Sequence, residues 1–95
     1  MRTFRLSEFA KNDLARIYRQ GLLEFGEQQA EKYLNQLLDR FDEITAHPLA
    51  YPAIDDIRKG YRRSVVGPDS IYFRLNDGVV EIVAIVGRQD VADWI

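Results

Sequence analysis

The chain contains no cysteine and a single histidine. The first absence rules out a disulfide framework, a thiolate nucleophile and a cysteine zinc cluster. The second leaves little room for acid–base chemistry. His47 falls between the end of a helical pattern and Pro48, where a cation suits the helix dipole but no partner base or nucleophile is at hand. Long apolar runs are missing too, so no segment matches a membrane span. The N-terminal stretch MRTFRLSEFA brings in charge at once and lacks the apolar core of a signal peptide. These features favour a cytoplasmic protein. Nor is there an excess of positive charge: 13 Lys and Arg face 15 Asp and Glu, which argues against nucleic-acid binding through the overall field. The acidic runs at Asp42-Glu43 and Asp55-Asp56 lack the ligand count of a metal site, and Gly87 has no companion glycines for a phosphate loop. No metal and no cofactor is expected.

What is present suits one small domain spanning residues 1–95. Hydrophobic content of 46% and aromatic content of 12% are enough for a packed interior. Residues 2–6 alternate, with Phe4 and Leu6 on one side, and read as a short strand. Ser7 is a good N-cap for a helix whose apolar stripe runs through Ala10, Leu14, Ile17, Tyr18, Gly21, Leu22 and Phe25, ending at Gly26. A second stripe follows in Ala30, Tyr33, Leu34, Leu37, Leu38, Phe41 and Ile44, and Pro48 stops it. The short break predicts an antiparallel helical hairpin, which needs a sheet to cover its apolar faces. An irregular crossing over 48–60 leads to strand candidates at 61–66, 70–75 and 79–86. Gly67-Pro68-Asp69 and Asn76-Asp77-Gly78 turn between them. The near-continuous apolar character of 79–86 predicts a central strand covered on both faces. The order β-α-α-β-β-β implies an α+β fold, with the helical hairpin on one face of a mostly antiparallel sheet.

Positive charge is concentrated late in the chain. RKGYRRSVVG, residues 58–67, holds Arg58, Lys59, Arg62 and Arg63, and Arg74 and Arg88 follow. Alternation places Ile71, Phe73 and Leu75 on one side of their strand and Tyr72 and Arg74 on the other, looking out of an open face. Arg88 is in phase with Ala84 and Val86. Arg62 and Arg63 point to opposite sides, so only one can join that face. Guanidinium groups converging there would bind an anion or an acidic partner bidentately. The alternative is a solvated junction whose cations pair with Asp55 and Asp56. At the C-terminal end, Val91, Trp94 and Ile95 would share a face of a short helix, which docks either in a groove of this domain or on a partner.

The ordered set LSEFAKNDL (6–14), FGEQQAEKYLNQLLDRFDEI (25–44), HPLAYP (47–52), IRKGYRRSVVGPDSIYFRL (57–75) and VEIVAIVGRQDV (80–91) resembles the ParE toxins of the RelE/ParE superfamily. The resemblance covers essentially the whole chain. It implies the same α+β architecture and a toxin neutralised, as a hetero-oligomer, by the C-terminal segment of a cognate antitoxin. It further implies DNA gyrase as the target, poisoned without chemistry by the toxin, and no membrane partner. Arg58, Arg62, Arg63, Tyr72, Arg74, Arg88 and Trp94 are then the candidate contact residues, with no catalytic residue among them. RelE-type relatives are ribosome-dependent mRNA endoribonucleases, and Arg74 and Arg88 match the strand positions that carry arginine in those enzymes. Trp94, however, stands where a tyrosine is common, and an indole offers no usable acid–base proton. RelE-like nucleases also tend to be strongly basic, whereas this chain is acidic. Both departures favour the ParE side.

Overall fold

A computed structural model of the chain describes residues 3–87. Its elements are β1 (Phe4–Leu6), α1 (Glu8–Phe25), α2 (Glu27–Ala46), a 3₁₀ turn at Pro48–Ala50, β2 (Tyr61–Val66), β3 (Asp69–Asn76) and β4 (Val79–Gly87). The four strands form one mixed sheet in the order β1-β4-β3-β2, with β1 parallel to β4 and the other pairings antiparallel. The predicted element order stands, and β4 occupies an interior position in the sheet as its apolar character required.

Both helix boundaries follow from side-chain and backbone chemistry. The Ser7 hydroxyl accepts from the Ala10 N–H at 3.0 Å, satisfying one of the orphan donors of the first turn of α1. Gly26 alone separates the helices. Its φ of 88° is a region L-side chains avoid. Its N–H closes α1 on Leu22 O, while its carbonyl accepts from the Ala30 N–H. The tight hairpin brings the helices close: a Cβ on Gly21 would stand 3.2 Å from Ala30 Cβ.

The main core lies between the hairpin and one sheet face. Ala10, Ile17, Leu37, Phe41 and Ile44 from the helices meet Val66, Ile71, Phe73, Val80, Ile82 and Ile85 from the strands. Phe4 packs edge-on against Phe41 with ring centroids 5.5 Å apart, which anchors the short β1. The predicted stripe weakens at the hairpin tip, where its Leu22 and Phe25 are exposed, as is the neighbouring Leu23.

The turns fix the register. Asp77 (φ 54°) and Gly78 (φ 77°) both adopt positive φ, as a two-residue type I′ loop requires. Gly67 (φ 54°) precedes Pro68, whose ring holds φ negative, the sign pattern of a type II′ loop. Each loop is therefore shorter than its turn signal, and Asp69 and Asn76 join β3.

A bulge on β4 changes the face assignment. Phe73 pairs with Ile82, but Tyr72 pairs with Ala84, so Val83 is an extra residue in β4. Beyond it, Ile85 faces the helices while Ala84 and Val86 turn to the other side. Consecutive carbonyls that would alternate in a regular strand here both meet Ser7: its N–H bonds Ile82 O and its hydroxyl donates to Val83 O. One residue thus starts α1 and holds the bulge.

Candidate functional site

The face opposite the helices carries the charge. Along β2, Val66 joins the main core, and Ser64 accepts a 2.7 Å bond from Arg40 of α2. The even-numbered residues of β2 therefore face the hairpin, and alternation sends Tyr61 and Arg63 to the other side. This separates the two adjacent arginines. Arg62 lies on the helix side, where its Nη1 donates to Tyr51 O at 2.6 Å. Arg63 lies on the open face opposite Tyr72 in register. Its side chain has no hydrogen-bond or ion-pair partner among the described residues.

Tyr72 points to the predicted face but is not open to solvent. It is fully buried, packed with Ile54, Tyr61, Ala84 and Val86 in a second, smaller core. The crossing segment contributes Ile54 to this core: Ile54 N–H bonds Tyr61 O, and Arg63 N–H bonds Pro52 O, so residues 52–54 run along the outer edge of β2. Tyr72 is thus a packing residue rather than an exposed contact. The bulge at Val83 completes this core by delivering Ala84 and Val86 to it.

A row of side chains crosses the strands beside this core. Arg5, Glu81, Arg74 and Tyr61 are register partners in succession from β1 through β4 and β3 to β2. Arg74 Nε donates to Glu81 Oε1 at 2.6 Å. The bonded carboxylate raises the Arg74 pKa further above the guanidinium value, so this cation stays charged at any physiological pH. The Arg74 guanidinium also sits 5.6 Å from the Tyr61 ring centroid, and that of Arg58 sits 5.0 Å away. Both distances are within cation–π range. Asp55 and Asp56 form no ion pair with this cluster among the described residues; Asp55 instead accepts the Gly60 N–H at 2.8 Å. Arg88 and Trp94 lie outside the described residues, as do Val91 and Ile95.

Two members of the row, Arg5 and Glu81, lie outside the basic stretch 58–63. The hairpin loop was the available signal. A two-residue turn at Asp77-Gly78 forces Asn76 opposite Val79 and hence Arg74 opposite Glu81.

A groove of ≈ 520 Å³ opens at the other end of the strands, on the helix side. Its walls include Ile17, Gly21, Phe25 and Ala30 of the hairpin and Pro68 of the β2–β3 turn. Tyr33 and Asp69 line it as a bonded pair. The phenol oxygen lies 2.6 Å from Asp69 Oδ2 and 2.9 Å from Val66 O. Burial and the neighbouring carboxylate push the Tyr33 pKa well above the ordinary phenol value. The exposed Leu22 and Leu23 continue this apolar surface around the hairpin tip. Among the described residues there is no cluster of His, Cys, Asp and Glu able to hold a metal ion, and no helix long and apolar enough to cross a membrane.

The helical hairpin over a β1-β4-β3-β2 sheet has a counterpart among solved structures. A chain of the chromosomal ParDE TA system from P. aeruginosa superposes with a TM-score of 0.80, at 19% identity, over 92% of this chain and 96% of that one. Sequence makes the assignment to a family. Residues 4–92 match the family described as ParE toxin of type II toxin-antitoxin system, parDE. Toxin ParE1 of Mycobacterium tuberculosis is 32% identical over 85 residues, covering 88% of this chain and 87% of the relative. Toxin ParE1 of Caulobacter vibrioides is 33% identical over 87 residues, covering 90% and 88%. The chain belongs to the ParE toxin family of type II toxin–antitoxin systems.

Proposed function

We propose that this chain acts in the cytoplasm as a poison of DNA gyrase and is silenced by a cognate antitoxin. The observation that carries the reading is the match to the ParE family across residues 4–92. Two surfaces at opposite ends of the sheet support a division of labour. The groove between the hairpin and the β2–β3 turn, with exposed Leu22, Leu23 and Phe25 beside it, suits an amphipathic C-terminal segment of the antitoxin. The open face, with Arg58, Arg63 and Arg74, suits gyrase, and Arg88 and Trp94 are assigned to the same contact from the sequence. Arg62, committed to Tyr51 O on the helix side, is the weakest member of that set.

The endoribonuclease alternative needs a cation free to stabilise negative charge developing on a phosphate, and a group to move a proton. Arg63 is such a cation, but Arg74 already donates its Nε–H to Glu81, and His47 caps α2 rather than lying on a strand of the sheet. A supercoiling and DNA-cleavage assay with purified toxin tests the proposal. Loss of supercoiling with accumulation of cleaved DNA, reversed by antitoxin, is the expected result. Unaffected gyrase, with toxin that arrests growth and cuts mRNA on ribosomes, would replace this reading with the nuclease one.

A further inference from the structure

Glu81 holds a central place on the open face. It lies on β4, with Arg5 beside it on β1 and Arg74 on β3. Its side chain is 21% exposed, against 42% for Arg74, so the carboxylate sits deeper than the guanidinium it binds. Its bond uses the Arg74 Nε–H, and it holds the guanidinium over Tyr61. A phosphate reaching for Arg74 would compete with this charge-assisted bond and settle close to a like charge. A protein surface meets no such opposition, because it can offer a donor to Glu81 and an acceptor to Arg74 together.

We propose that Glu81 is a specificity-determining residue: it withholds Arg74 from nucleic-acid phosphates and so biases the open face toward a protein partner. This deepens, and rests on, the reading of that face as a contact surface. Glu81 acts through Arg74 and is in that sense a positioning residue.

The test is binding of a short fluorescein-labelled single-stranded RNA to the purified full chain, by anisotropy across a salt series. Wild type should bind weakly. Glu81→Gln, which keeps the shape and removes the charge, should bind about tenfold tighter, the effect of one added charge-assisted bond. Its plot of log affinity against log salt should steepen by about 0.7, the increment for one further phosphate contact on a single strand. Adding Arg74→Ala should erase both gains. Glu81→Ala serves as a second variant, and thermal melting establishes that each variant is folded. Tight RNA binding by wild type, no tightening in either folded variant, or tightening that survives Arg74→Ala would each overturn the proposal. Gyrase inhibition by the wild-type toxin is read separately. Its failure would remove the proposed target and leave the RNA result standing, and the reverse also holds.

Discussion

Asp13 offers the sharpest test of how the helix and sheet are joined. β1 is only three residues long, so it leaves the outer edge of β4 unpaired beyond Ile82. Polar side chains of α1 take over. Asp13 Oδ2 accepts the Ile85 N–H at 2.9 Å, and Arg16 Nη2 donates to Ile85 O at 3.3 Å. Ile85 is fully buried. Asp13→Ala therefore strands a buried backbone donor, and an unsatisfied group of this kind costs roughly 1–3 kcal/mol. The Asp13–Arg16 ion pair, at 3.5 Å with both side chains partly exposed, adds little. For a domain of this size each 1 kcal/mol lowers Tm by roughly 4–8 °C. Asp13→Asn keeps an acceptor oxygen and should recover most of the loss. Thermal and urea unfolding measure the cost, and native-state hydrogen exchange locates it at the Ile85 amide. Equal stability of the Ala and Asn variants, or unchanged protection of Ile85 in Asp13→Ala, would refute this account. Water or another acceptor would then be serving that N–H.

Three further outcomes follow from the same geometry. Tyr33→Phe removes the hydroxyl that ties α2 to Val66 and Asp69 and should destabilise by roughly 1–2 kcal/mol at neutral pH in urea unfolding. Because the folded-state phenol pKa is raised, the protonated form is favoured by folding. That contribution is complete below the ordinary phenol pKa of about 10 and is lost as pH climbs above it, so wild-type stability should fall more steeply there than that of Tyr33→Phe. Arg63→Ala removes a side chain without a partner among the described residues, so its stability should stay within about 0.5 kcal/mol of wild type while gyrase inhibition weakens; unchanged inhibition would take Arg63 out of the contact. Leu23→Glu, at a position 83% exposed, should likewise leave unfolding unchanged yet weaken antitoxin binding in calorimetry.

Much of the fold was legible because each local signal agreed with its neighbours. Ser7, the two helical stripes, Gly26 and both hairpin turns mark boundaries through chemistry that acts within a few residues. What escaped depends on residues distant in sequence. The bulge at Val83 lies in a segment where nearly every side chain is apolar, so no alternation of polarity betrays the extra residue. Tyr72 shares its buried cluster with Ile54, and the path of an irregular crossing is not written in any periodicity. The sides taken by Arg62 and Arg63 turn on Ser64, a polar residue facing the helices because Arg40 reaches it from α2. Pattern reasoning assigns a serine outward; a hydrogen bond from the opposing helix reverses that.

The same logic changes the meaning of the basic cluster. Six residues from Arg58 to Arg63 hold four cations, in a chain with more acid than base. Density along the sequence does not translate into a patch of available charge. Arg62 is drawn to the helix side by Tyr51 O, Arg58 stacks on Tyr61, and the nearby Arg74 is bonded to Glu81. Of the cluster, only Lys59 and Arg63 have no side-chain partner among the described residues. A polyanion gains by neutralising many phosphates at once, and here it meets a carboxylate among the cations. A protein partner needs fewer charges, placed in register with donors and acceptors of its own. Two of the four cations in the stretch are engaged and the open face carries Glu81 at its centre, which is the basis of the proposed preference for a protein surface over a nucleic-acid backbone.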